Sequence, residues 1–310
     1  MMKRLLLLSL VLVLTTAACD TTQPSIHESE PVVEAYLVAG EPFGQVRLTR
    51  TADLEGVYDI ASLGLRGATV RVHELGPGGE IARTIGYEAA SDTVGMYRAV
   101  GTERVRASTS YRLDVRLADG GSVTGETFVP GAFEFTRQSD LEKVYQGADQ
   151  FEVNVTASAY PGRQGIYVVS IRPLDPHPQN LTPFYLDAIY GIKAGEAFDP
   201  DTLDVTEIED LYEASSPPVN ESSWEPEADG TIRIRLPWFA VAFYGPVQVE
   251  FNAIDDNLFD FFRYFTAQQG GSTLSPGELP NILDSLEGGT GVFGSMARRS
   301  ISIRILRGDG

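Results

Sequence analysis

Residues Tyr111–Val129 read YRLDVRLADGGSVTGETFV. The first half alternates Tyr111, Leu113, Val115 and Leu117 with Arg112, Asp114 and Arg116, and Asp119-Gly120-Gly121 then turns the chain into a second extended run. Successive strand side chains point to opposite faces, so a period of two predicts strands buried on one side, and a glycine-containing turn between them predicts a hairpin.

The same texture extends upstream. In QVRLTRT, Val46 and Leu48 alternate with Arg47 and Thr49, and in ATVRVHEL, Val70 and Val72 alternate with Arg71 and His73. Several short strands at regular spacing predict a mainly β protein whose residues 32–130 form an immunoglobulin-like β-sandwich, with a boundary near VPGAF, Val129 to Phe133. Downstream, FEVNVTASAY, GIYVVSIRPL, TIRIRLPWF, GPVQVEFNAI and RSISIRIL predict a second β-rich domain over 131–310. One amphipathic helix interrupts it at about 256–269. There Asp255 or Asp256 can cap the start, Leu258, Phe261, Phe262 and Phe265 share a face, and Gly270-Gly271 closes the end. An aromatic stripe of this spacing is read as a seam facing a core.

Between the second and third of those strands lies an acidic stretch, 196–229, with a dozen acids and no Lys or Arg. Such composition predicts a solvated excursion or mobile loop. Its DPDTLD does not meet the calcium-loop template, because Leu203 holds the fifth position and no glycine the sixth.

The opening MMKRLLLLSLVLVLTTAACD carries basic Lys3 and Arg4, an apolar run Leu5–Leu14, and small residues before Cys19. It predicts an export signal over 1–18, too short in its apolar part to span a bilayer. Cys19 is the only cysteine in the chain. A lone cysteine directly after such a run resembles the bacterial lipobox, although Thr16 stands where leucine is preferred. That pattern implies lipidation of Cys19 with palmitate-class acyl chains on sulfur and amine, two or three of which anchor a protein lastingly. Polar, Pro-punctuated residues 19–31 then read as a flexible tether.

The full chain has a net charge of −19, and loss of Lys3 and Arg4 with the leader leaves 22 basic against 43 acidic side chains, or −21. Nucleic acid is excluded as a partner, since binding it requires clustered cations that displace phosphate counterions.

The sequence predicts no cofactor and no metal site. Gly289-x-Gly291-x-x-Gly294 has the spacing of a pyrophosphate cradle, but that motif needs a strand before the glycines and a helix after them. Here a Pro- and Ser-containing loop precedes and a strand-like run follows. Gly288, Gly289, Gly291, Phe293 and Gly294 are therefore expected to form a structural Gly-rich loop, where backbone crosses too closely for a Cβ. No His spacing suits a metal, and Ser295 lacks the glycines of a nucleophile elbow. Asp175 with His177, in the Pro-bracketed LDPHPQN, is the one local pair singled out as a candidate.

Taken together, the acylated cysteine, VVEAYLVAGEPFGQVRLTRT, the hairpin with TGETFVP, the helix FDFFRYFTAQQ and the loop PNILDSLEGGTGVFGS resemble the Bacteroidota lipoproteins of domain of unknown function 4249. Asn281, Gly288, Gly289, Gly291, Phe293 and Gly294 carry the most specific part of the likeness. The segment between Ile282 and Gly288 and the acidic excursion depart from the family pattern. The resemblance implies an envelope lipoprotein encoded beside a TonB-dependent outer-membrane transporter, and no known activity. The expected function is a non-catalytic accessory or ligand-binding partner of that transporter, held to the outer membrane by its lipid and facing periplasm or surface. The alternative is an envelope hydrolase or carbohydrate-active enzyme using carboxylates or the Asp175/His177 loop.

Overall fold

The computed structural model describes residues 29–52, 60–224, 226–266 and 285–308. The leader, Cys19, most of the tether, Gly270-Gly271, Asn281 and Ile282 lie outside the described residues, as does the part of the expected helix at 267–269.

The chain is mainly β, as the alternation predicts. The first strands are β1 (Pro31–Val38), β2 (Val46–Arg50), β3 (Thr69–Leu75), β4 (Ile81–Ala89), β5 (Met96–Ala99), β6 (Thr109–Arg116) and β7 (Ser122–Val129). Then follow β8 (Phe135–Gln138), β9 (Glu142–Val144), β10 (Glu152–Val155), β11 (Ile166–Pro173), β12 (Ala214–Ser215) and β13 (Val219–Asn220). β14 (Ile232–Arg235), β15 (Gly245–Ile254), β16 (Leu286–Glu287) and β17 (Thr290–Leu306) complete the set.

The opening hairpin is β6 and β7, paired from Thr109 with Val129 to Arg116 with Ser122. Tyr111, Leu113 and Val115 are buried in the first core with Val33, Leu48, Val72 and Phe293. On the other face Arg112 pairs with Glu126 directly across the hairpin, the kind of cross-strand pair that fixes register.

Most strands form one sheet, in the order β12-β11-β15-β17-β1-β2-β5-β4-β3-β6-β7-β16. It curls, so that β7, far from β17 in that order, comes back to it: the Thr127 and Ser295 hydroxyls lie 2.6 Å apart. A separate three-stranded sheet, β14-β10-β8, packs over β11, β15 and β17. Between these layers lies the second core, with Val153, Ile234, Tyr167, Val249, Phe251 and Ile303 among its members.

β17 belongs to both halves. Thr290 to Met296 run parallel to Val32 to Val38 of β1. Met296 to Ile305 run antiparallel to β15. Alternation along one face of β17 places Phe293 in the first core and Ala297, Ile303 and Ile305 in the second. Beyond Met296 the other face carries Arg298, Ser300, Ser302 and Arg304, half-buried or exposed, so this part of β17 reads as an alternating strand.

One α-helix, not expected from the sequence, spans Pro183–Tyr190 in the second half, and the expected helix spans Asp256–Thr266. Asp255 is its cap: Oδ1 accepts from the Leu258 amide at 3.0 Å, satisfying a donor that the first turn leaves open. Leu258, Phe259, Phe261 and Phe262 pack with Ile166, Val168, Ile254 and Val292 of the sheet, while Phe265 is exposed.

The acidic stretch is more ordered than its composition suggests. Pro200–Thr202 and Val205–Leu211 form 3-10 turns, and β12 and β13 pair with β11. Ile208 is fully buried in a fourth cluster of apolar residues with Leu181, Leu186 and Phe243. Most of the described acids from Glu196 to Glu213 are exposed, Glu221 and Glu227 are half-buried against the Gly165 amide and Arg233, and the few apolar residues form a small core, so this is a packed excursion rather than a plain loop.

Candidate functional site

The Gly-rich stretch is a strand rather than a loop from Thr290 onward. Gly288 and Gly289 turn into it. Gly288 has φ +80, and a Cβ there would stand 2.2 Å from the Ser122 carbonyl oxygen. Gly291 has φ +111, with its would-be Cβ 2.1 Å from the Val33 carbonyl oxygen. At Gly294 the added carbon would meet Leu258 of the helix at 2.5 Å. These glycines let β1, β7 and the helix approach one backbone at once, and Phe293 fills the first core beside them.

Ser295 is fully enclosed. Its hydroxyl meets Thr127, which donates to Asp255 Oδ2 at 2.5 Å. Burial pushes the Asp255 carboxyl up to about 6, against the opposing pull of the hydrogen bonds from Thr127 and the Leu258 amide. Asn257 extends the joint, its amide donating at 2.7 Å to the carbonyls of Glu126 and of Phe293. From the other side, Arg163 donates to Asp256 and to the Ile254 carbonyl and lies over the Tyr160 ring. With no imidazole and no solvent-facing hydroxyl, this cluster is a seam between β7, β17 and the helix.

Asp175 and His177 do come together, Oδ1 to Nε2 at 3.3 Å, with both side chains more than half exposed. Asn180 donates to the same Asp175 side chain and to its carbonyl. The group closes a turn ahead of the 3-10 helix Pro178–Asn180. His73 is buried and bonds the Thr84 hydroxyl through Nδ1 at 2.8 Å, and burial lowers its pKa. Among the described residues no three His, Cys, Asp or Glu side chains gather as metal ligands, and no helix is long and apolar enough to cross a membrane.

A concave site that sequence reasoning missed lies in the second half. An apolar chamber of about 420 Å3 opens between the two β layers. Val169, Ile171 and Phe251 of β11 and β15 form its floor, and Ile234 and Leu236 one wall. The acidic excursion supplies the opposite wall from Ala214 to Val219, with Trp224 beyond. Pro217 and Pro218 interrupt the edge there, since proline has no amide to donate. β12 pairs Ser170 and Ile171, β13 pairs Ile166 and Tyr167, and Ser216 bridges the gap by exchanging hydrogen bonds with the Val169 backbone. At the mouth stands Phe239, 68 % exposed, whose carbonyl accepts from the Tyr185 hydroxyl at 2.8 Å. A second, polar cleft of about 290 Å3 is lined by Ser223, Trp224, Glu227, Arg233 and Arg235. Trp224 and Arg235 line both.

The family model described as Domain of unknown function (DUF4249) matches residues 20–302. No curated protein matches the chain. Solved structures with detectable likeness include trypsin-activated alpha-2-macroglobulin from Escherichia coli, at 11% identity over 73% of this chain and 14% of that one, TM-score 0.20. Methylamine-reacted Salmonella alpha-2-macroglobulin is 13% identical over 91% of this chain and 15% of that one, TM-score 0.24. The elastase-activated Escherichia coli protein is 12% identical over 90% and 20%, TM-score 0.22. The chain thus spans a fifth or less of the length of these proteins.

Proposed function

The chain belongs to the family of Domain of unknown function DUF4249, and from that premise we propose that it is a non-catalytic, lipid-anchored binding protein of the cell envelope, accessory to a TonB-dependent outer-membrane transporter. The observation that carries the reading is the apolar chamber between β14 and the β11–β15 layer, whose volume of about 420 Å3 suits a small ligand. A mostly apolar hollow with a few polar groups at one rim is the usual build of such sites. The anchor is supported by the leader-like start and by Cys19, and the strong net negative charge favours a body that stands off anionic lipid.

The test is expression of the whole chain, leader included, in a Bacteroidota host. Protein purified from membranes is expected to weigh more than a polypeptide beginning at Cys19 by its acyl chains, and Cys19→Ala is expected to leave the membrane fraction. Recovery of an unacylated chain, or a Cys19→Ala variant that stays membrane-bound, overturns the anchor. Crosslinking in intact cells that captures no TonB-dependent transporter overturns the partnership.

A further inference from the structure

We propose that the chamber takes an uncharged amphiphile, with its apolar body between the β layers and a hydroxyl- or amide-bearing head at the Trp224/Arg235 rim. The proposal rests on the reading of this chain as a ligand-binding protein and names the class of ligand.

Three observations converge on that class. Inside the chamber the polar groups of the wall are already satisfied: the Val169 amide and carbonyl by Ser216, whose hydroxyl also donates to the Pro217 carbonyl, and the Tyr185 hydroxyl by the Phe239 carbonyl. A charged or strongly hydrogen-bonding group placed there would lose its water and find no partner, whereas an apolar body loses nothing.

At the rim the cations are neutralised. Arg235 donates to Glu152 at 2.7 Å and Arg233 to Glu227 at 2.6 Å. The cleft therefore offers donors and acceptors side by side with no net charge. An ionic head would have to displace a carboxylate or a guanidinium from its pair, while a hydroxyl or amide can bond to both without breaking either. Trp224 presents a flat apolar surface where body and head would meet, its ring set edge-on against Tyr167 at 5.7 Å.

The third observation concerns the approach. The wall-forming excursion is acidic and carries no Lys or Arg from Glu196 to Glu213. An anionic amphiphile would meet a repulsive field there.

The test is titration calorimetry of the full chain with four probes: n-octyl glucoside below its micelle-forming concentration, octanoate, octylamine, and methyl glucoside. Octyl glucoside is expected to saturate one site and to bind at least roughly tenfold more tightly than either ionic probe, the scale set by leaving a charge poorly paired. Methyl glucoside is expected to give no saturation. Ala214→Phe, which fills the chamber, is expected to weaken octyl glucoside by roughly tenfold or more through lost apolar burial, with Val219→Phe as the second blocking variant should the first not fold. Arg235→Gln is expected to weaken octyl glucoside and, because it leaves the Glu152 carboxylate without its cation, to shift the ionic probes in opposite directions, octylamine towards tighter and octanoate towards weaker binding. Octanoate or octylamine binding as tightly as octyl glucoside overturns the inference about the head and leaves the binding chamber standing. Binding unaffected by the blocking variants places the ligand elsewhere and overturns the inference. An absence of saturable heat with every octyl probe overturns both this inference and the ligand-binding reading beneath it.

Discussion

Thr127 of β7 donates its hydroxyl to Asp255, the cap of the helix, at 2.5 Å across a separation of 128 positions. Nothing local brings these residues together. The bond exists because β17 carries Ser295 between the two cores and the curled sheet returns β7 to that point, so the contact reports directly on whether both halves have closed on one strand.

That contact makes stability depend on pH in a definite direction. The folded Asp255 carboxyl titrates at about 6, above the roughly 3.9 of an unperturbed Asp. Between those values the folded chain holds a proton that the unfolded chain has lost, so the contribution of this group falls as pH rises through the window. Asp255→Asn keeps a capping side chain and removes the titration. In urea unfolding, the stability of the variant relative to the parent is expected to improve by roughly 2–3 kcal/mol from about pH 4 to about pH 7. A difference that stays constant with pH would mean that Asp255 does not titrate in this range.

Gly291→Ala is expected to destabilise by about 2–4 kcal/mol, because it combines a positive φ with a clash against backbone that cannot move without unpairing β1 from β17. Gly86, in β4, has open space where a Cβ would sit, so Gly86→Ala is the control and should fall within about 0.5 kcal/mol of the parent. Thermal melts of both variants read the contrast. Equal melting temperatures would show that β17 does not press on Val33.

A fragment ending near Val129 is expected not to fold. It would lack Phe293 and Leu286 of its own core and would leave β1 as an open edge, a template for aggregation. Joining residues 285–297 to that fragment through a flexible linker is expected to restore a cooperative unfolding transition. Circular dichroism and size-exclusion chromatography distinguish the outcomes, and a monomeric, cooperatively melting fragment without the added strand would defeat the expectation.

Ile208→Ala should cost about 2–4 kcal/mol if the acidic excursion is packed as described. Chemical denaturation followed by tryptophan fluorescence is the measurement, since Trp224 follows in the same excursion. A loss below about 0.5 kcal/mol, the range of ordinary surface substitutions, would return this stretch to a solvated loop.

The strands and the helix were legible because their signals are local. Tyr111, Leu113 and Val115 alternate with charges, and Asp255 precedes an aromatic stripe at helical spacing, so pattern alone places them. Gly288 and Gly291 also announced a close backbone approach, though not that the approach occurs within a strand. Pairing partners far apart in sequence leave no such trace: nothing in TGVFGSMARR says that its start runs beside β1 and its end beside β15. Ile208, Leu211 and Tyr212 were hidden by the acids around them, since a segment of high charge density has no visible apolar period even when a few residues form a core. The chamber was illegible for a related reason. Its walls come from β11, β14, β15 and the excursion, and only the fold brings them face to face.

β17 also orders events in time. Because β1 waits for a partner synthesised near the far end of the described chain, its half completes its sheet only after that late strand has been made. The same dependence makes proteolytic trimming at the distal end a way to dismantle the proximal half, with no cut anywhere inside it.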